Sequence, residues 1–249
     1  MGKRSGDTNS GKQMMNKLQS QNNGRYKAFN DVERSGYEGG WYYEGSGKEQ
    51  IDWFKSHSNY DELIKSMSAK ERQAWDDYWV PGHFMSGQQY RGWDNMSWRD
   101  QKLTRTYDKI LDKATLDHGV VLTRRTDAQL VLGAGHKKAT LEELKAAEGS
   151  IVTSKGNMSF GAAKHGLTIG DSSKQCEVRL HIPGGTKGAG MWIGDNRINS
   201  SFGAGQREFM TNRDIAIKVG KTTYDPSRGV YVTDVYYVGR TAHDYGKKK

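Results

Sequence analysis

With one cysteine in 249 residues, Cys176, the chain cannot close an internal disulfide, and nothing in it demands an oxidising compartment. Cys176 stands in an alternating run and reads as a small buried residue rather than a nucleophile. Apolar residues are scarce: 34% are hydrophobic and the mean hydropathy is -0.88. No run of about 18 apolar residues occurs, so no membrane span is expected. The opening Met1-Gly2-Lys3-Arg4-Ser5-Gly6 lacks the apolar stretch of a signal peptide. A cytoplasmic location, in a producing or a target cell, is the expectation. Metal-ligand spacing is also missing, since His118, His136, His165, His181 and His243 show no pattern with the lone cysteine or with acidic clusters. Gly133-Ala134-Gly135-His136-Lys137-Lys138 lacks the Gly-Lys-Ser/Thr ending of a nucleotide phosphate loop. Lys137 and Lys138 remain suited to an anionic ligand.

Acidic residues are in deficit, 29 against 38 basic ones, giving a net charge of +9 and a pI near 9.4. The excess favours an anionic partner such as nucleic acid, a membrane surface or an acidic protein, and charge alone does not choose among them. The 31 glycines and low apolar content place part of the length outside any core. Residues 1–46, rich in Gly, Ser, Asn, Gln and Lys, read as a flexible basic arm whose aromatics from Tyr37 to Tyr43 dock on the domain or stack on bases. Residues 47–245 are expected to form a single domain, and 246–249, with Lys247 to Lys249, a basic tail.

From Gln50 to Leu116 the apolar spacing is helical. Ile51, Phe54, Leu63, Ile64 and Met67 precede a capping box at Ser68 and Glu71. The following helix carries Trp75, Tyr78 and Trp79 and stops at Pro81-Gly82. Ser97-Trp98-Arg99-Asp100 opens another, with Leu103, Tyr107, Ile110, Leu111 and Ala114 near the 3.6-residue period. Beyond Gly119 short strands take over. Val120 to Arg124 reads as a buried strand ending in Arg124 and Arg125, and Thr140 and Glu143 cap a short helix closed by Gly149. Ile151 to Ser154, Cys176 to Ile182, Asp214 to Val219 and Val230 to Val238 follow as strands. Helices first and strands later predict an α+β domain, N-terminal helices packed on a mostly antiparallel β-sandwich.

Chemistry concentrates at Gln206 and Glu208. Positions i and i+2 of a strand share one face, so both side chains can enter one cavity, and Gly203 to Gly205 let backbone approach a ligand there. The ordered set formed by a strand-end arginine, a Thr-Ser pair after a short helix, the run Ile182-Pro183-Gly184-Gly185-Thr186, and Gln206-x-Glu208 resembles the mono-ADP-ribosyltransferases of the Arg-Ser-Glu type. These are the clostridial exoenzymes, binary toxins and related phage enzymes.

The resemblance covers roughly residues 60 to 240. It implies NAD as co-substrate with no metal, and a bacterial or phage toxin or effector for which an antitoxin or immunity protein is a further expected partner. It puts Arg124 on the NAD pyrophosphate, with Arg125 as competitor, and Tyr78 in the same cofactor site. A gapless match sets Val152 where the family's first serine belongs, leaving Thr153 and Ser154 to orient the nicotinamide ribose and the catalytic carboxylate. Glu208 takes the place of that carboxylate. Gln206 stands where arginine-modifying members have a second glutamate, so the expected acceptor is not arginine: an amide positions an acceptor but cannot take its proton. Nucleic acid is slightly favoured over a protein side chain. A non-catalytic nucleic-acid-binding or phage structural protein with this fold, and an NAD glycohydrolase, are the alternatives.

Overall fold

The structure, a computed structural model, describes residues 52, 54–77, 89–133, 136–161, 167–168, 175–193 and 208–246. The arm at 1–46, Lys247 to Lys249, Tyr78 and Gln206 lie outside them, as does the glycine loop 203–205.

Among the described residues the helices α1 (Tyr60–Ser66), α2 (Ala69–Asp77) and α3 (Trp98–Leu111) precede the strands. The box before α2 is reciprocal, Ser68 N donating to Glu71 Oε2 at 2.9 Å and Glu71 N to Ser68 Oγ at 3.2 Å, so each satisfies a backbone donor that the helix cannot. Ser97 caps α3 by accepting from Asp100 N. The inward face of α3 buries Thr104, Tyr107, Asp108, Ile110 and Leu111, and the Tyr107 hydroxyl donates to Ala74 O at 2.8 Å, joining α3 to α2. Ala114, expected inside this helix, lies past its end and is nonetheless buried.

The strands are β1 (Thr115–Leu116), β2 (Val120–Thr126), β3 (Ile151–Thr153), β4 (Ser159–Gly161), β5 (Leu167–Thr168), β6 (Cys176–Ile182), β7 (Thr186–Lys187), β8 (Gly190–Trp192), β9 (Glu208–Thr211), β10 (Ile215–Asp225) and β11 (Val230–Arg240). Two short helices, α4 (Gln129–Leu132) and α5 (Leu141–Ala146), separate β2 from β3, and the Thr140/Glu143 box caps α5. The main sheet runs β3-β10-β11-β6-β2-β4-β9-β8, with β5 against β2. Most pairs are antiparallel; β11 with β6 and β2 with β5 are parallel.

Strands β9 and β10 stand far apart in that order, yet only Asn212, Arg213 and Asp214 join them. The sheet must therefore curl until its two ends face each other, which is the sandwich. Asp214 accomplishes the turn at φ 59, and Asp214 N donates to Ser154 O at 2.6 Å while Thr211 N donates to Met158 O at 2.8 Å. Between the layers lie Leu122, Phe160, Val178, Leu180, Phe209, Ile215 and Ile217, each 0% exposed. Phe54 seals one end, stacked on Trp192 at 4.8 Å and tilted against Phe209. Gly190 is required beside β9: a Cβ there would collide with Met210 O, the Phe209 ring and Thr211 Cα.

Candidate active site

Glu208 opens β9, a strand paired on both sides. Gly161 of β4 is its partner across one ladder, and on the other side Ile193 N donates to Glu208 O at 3.1 Å. Cross-strand partners share a face, and so do residues two apart, which puts Ser159 on the face of Glu208 with Gly161 offering no side chain between them. The Ser159 hydroxyl donates to the Glu208 carboxylate. On the other edge of β4, Thr123 of β2 pairs with Gly161, and the next residue, Arg124, donates from Nη1 to Ser159 O at 3.1 Å. The Arg124 charge reaches Glu208 from there, so three adjacent strands supply the guanidinium, the hydroxyl and the carboxylate of one neighbourhood. Arg125, the competing arginine, lies in register with Glu177 on β6, a carboxylate that also receives Arg179 and Arg228.

Burial dominates the electrostatics of Glu208. Only 3% exposed, its carboxyl is pushed up from 4.5 to about 7, because a charge removed from water is costly; the Ser159 hydrogen bond and the attraction of Arg124 pull the other way without cancelling it. A buried acid held near neutrality, in contact with a serine and close to an arginine, has the features by which a candidate functional carboxylate is recognised.

Thr153 and Ser154 do not join this group. Thr153 ends β3, the strand at the end of the sheet order, where it pairs with Ala216, and Ser154 follows it. The Ser154 hydroxyl is spent on Gly156 O at 2.7 Å and lies 3.1 Å from the Tyr90 hydroxyl. The hydroxyl that meets Glu208 belongs instead to Ser159, one strand later. Its sequence signal was weak but present: Met158 and Phe160 flank it in apolar alternation, marking a short strand that turns Ser159 to the opposite face.

The site is braced from below. Gln89, Asn157 and Thr211 form a buried polar network: Gln89 Nε2 donates to Asn157 Oδ1 at 2.6 Å, Asn157 N to Gln89 Oε1 at 2.8 Å, and Asn157 Nδ2 to Thr211 O at 3.0 Å. This network fixes the register of β4 against β9 two residues before Ser159 and three after Glu208. Behind it, Arg213 makes a bidentate pair with Asp108 of α3 at 2.9 and 2.8 Å, both side chains at most 5% exposed. His243 lies 3.0 Å from both Asp112 and Asp214; burial works against its charged form, but these hydrogen bonds and the Asp108 and Asp112 charges outweigh it and raise its pKa. His181 is likewise engaged, 2.8 Å from Asp234. Cys176 is buried, and burial followed by the charge of Asp127 pushes its thiol up to about 11, so it is held as the unreactive thiol.

Fold and topology are those of the ADP-ribosyltransferases of the clostridial-exoenzyme and binary-toxin kind. Among solved structures, the chain is similar to an ADP-ribosyltransferase from Clostridium botulinum, with 13% identity, TM-score 0.62, and coverage of 80% of this chain and 98% of that one. It is also similar to an ADP-ribosyltransferase toxin from Paenibacillus larvae, with 17% identity, TM-score 0.61, and coverage of 76% and 94%. A third similar structure is an ADP-ribosylating toxin of a binary enterotoxin of C. perfringens with NADH, with 17% identity, TM-score 0.58, and coverage of 78% and 48%. No protein-family model matches the sequence, and no curated protein matches it.

Proposed function

We propose that the chain is an NAD-dependent mono-ADP-ribosyltransferase, a bacterial or phage toxin or effector acting in the cytoplasm of the producing or target cell. The observation that carries this reading is the buried Glu208 carboxyl bonded to Ser159 within the field of Arg124. This donor set suits NAD chemically: a guanidinium matches a pyrophosphate bidentately, and a carboxylate accepts from ribose hydroxyls.

In this reading Arg124 grips the pyrophosphate, and Ser159, in place of Thr153 or Ser154, is the hydroxyl that orients the carboxylate. Glu208 sets a fixed negative charge against the ribose where positive charge develops as the bond to nicotinamide breaks, as in glycoside hydrolysis. Binding the transition state more tightly than the ground state is what accelerates the step. Nicotinamide departs neutral, so the proton chemistry is confined to the acceptor. Ionised Glu208 is the working form, and a pyridinium ring brought close to the carboxyl favours that form further.

Gln206, by its sequence position, supports a non-arginine acceptor. The net charge of +9 together with the basic arm and its aromatics from Tyr37 to Tyr43 supports nucleic acid slightly over a protein side chain, since phosphate attraction supplies sequence-independent affinity and aromatics stack on exposed bases.

The test is transfer of labelled ADP-ribose from NAD into a cell lysate by the native chain and by Glu208→Ala, followed by nuclease or protease. Label that requires Glu208 and is lost to nuclease supports the full reading. Loss to protease places the acceptor on protein. Glu208-dependent nicotinamide release without label means a glycohydrolase. If a folded chain yields neither product at saturating NAD, the enzymatic reading fails and a non-catalytic binding protein takes its place.

A further inference from the structure

Helix α3 has a second face that the enzymatic reading does not use. Trp98, Lys102, Arg105 and Lys109 recur at i, i+4, i+7 and i+11, which on an α-helix is one narrow stripe, and all four are exposed. Trp98 is 74% exposed, an unusual place for the largest apolar side chain. The Lys102 ammonium sits 4.7 Å from the centre of its ring, and the Arg105 guanidinium lies 4.7 Å from Trp93 and 4.4 Å from Tyr245. These cation-π contacts hold two positive groups in place beside an aromatic surface. The stripe runs about 16 Å along the helix axis, at about 1.5 Å per residue.

Nothing acidic on α3 interrupts it. Of the two carboxylates in the helix, Asp100 receives the Ser97 hydroxyl, and Asp108 is buried against Arg213 and Tyr245. Glu71 of α2 draws Lys113 and Lys109 at the far end, and Asp94 and Asp244 adjoin in sequence the two rings that Arg105 covers.

We infer that this face of α3 is a docking surface for single-stranded nucleic acid, with Trp98 stacking on a base and Lys102 and Arg105 holding the flanking phosphates. An acidic protein would be served by the cations alone. Neither charge pairing nor solubility calls for an exposed indole beside them, whereas a base supplies the π-face that an exposed indole stacks on, and a base is flanked by phosphates. The surface deepens the nucleic-acid reading proposed above, but its test is independent of catalysis.

Binding of fluorescein-labelled oligo(dT) and oligo(U), each about 12 nucleotides long, is measured by anisotropy across a salt series on the Glu208→Ala chain without NAD. Trp98→Ala is expected to weaken binding about 5- to 100-fold and to abolish part of the tryptophan quenching. Lys102→Glu should weaken binding and flatten the slope of log K against log salt by about 0.7 or more. Lys145→Glu on α5 and Lys221→Glu on β10 make the same charge change on other exposed sites and should do far less. Thermal melts confirm that each variant is folded. The tighter of the two oligonucleotides identifies DNA or RNA as the source. The inference is overturned if neither oligonucleotide binds the folded chain, if Trp98→Ala and Lys102→Glu behave like the two controls, or if polyglutamate binds as tightly as the oligonucleotides. Because no step uses NAD, loss of the enzymatic reading and loss of the docking surface are separately visible.

Discussion

Replacing Glu208 by glutamine should separate the cost of the site from its use. In the folded chain the carboxyl titrates at about 7, against 4.5 for an unburied glutamate. Between those values the folded protein keeps a proton that the unfolded chain has released, so this group's contribution to stability falls as pH rises across the window and levels off above it. At about 1.4 kcal/mol per pH decade the difference amounts to about 3 kcal/mol at most. Glutamine is neutral at every pH and keeps an oxygen for the Ser159 hydroxyl. Glu208→Gln should therefore match the native chain in stability near pH 5 and exceed it by up to about 3 kcal/mol at pH 8, a rise in melting temperature on the order of 5–10 °C. Urea unfolding of both chains at the two pH values reads the effect directly, and the difference between them cancels every other titrating group, His243 included. Over the same range native kcat/KM for NAD should climb with pH through about 7 as the carboxylate forms, while the variant loses on the order of 100-fold or more in rate. A stability difference that is the same at both pH values, or a native chain more stable than the variant at pH 8, would refute the assignment of a buried, proton-holding Glu208.

The other expectations concern the groups around it. Ser159→Ala removes the hydroxyl that favours the ionised carboxylate, so the rise of kcat/KM should move to higher pH and the rate should fall about tenfold or more, in line with about 1.5–3 kcal/mol for a hydrogen bond to a charged group; Ser154→Ala should move neither. Arg124→Lys exchanges a planar fork for a point charge and should raise KM for NAD about tenfold while Arg125→Lys does not, as steady-state kinetics will tell. Asp108→Ala leaves the Arg213 cation buried without its bidentate partner and should cost about 3–5 kcal/mol in urea unfolding; a loss under about 1 kcal/mol would mean that α3 does not brace the β9–β10 turn. Gly190→Ala drives a methyl into Met210 O and the Phe209 ring, and should destabilise the fold by about 3 kcal/mol or more as judged by thermal melts.

Local rules determined much of this protein from the sequence alone. The boxes at Ser68/Glu71 and Thr140/Glu143 form because their donors and acceptors lie within one helical turn, and the inward positions of α3 follow from a 3.6-residue period; both are fixed by neighbours in the chain. Glu208 is marked by its i, i+2 spacing with Gln206 ahead of a strand and by the family resemblance, and its burial at the start of β9 is what the structure adds. The serine was not legible, because what selects Ser159 over Ser154 is neither residue type nor local propensity. Both are strand-associated serines, and β3 and β4 are each three residues long. The choice is made by strand order: β4 is inserted between β2 and β9, whereas β3 is at the edge against β10. That order depends on pairings between residues more than 40 positions apart in sequence, such as Gly161 with Glu208. It also depends on a curl of the sheet imposed by the tight turn at Asn212 to Asp214, and no window of sequence contains either constraint. The raised acidity constant of Glu208 belongs to the same category, since a carboxyl is desolvated only once the layers close over it.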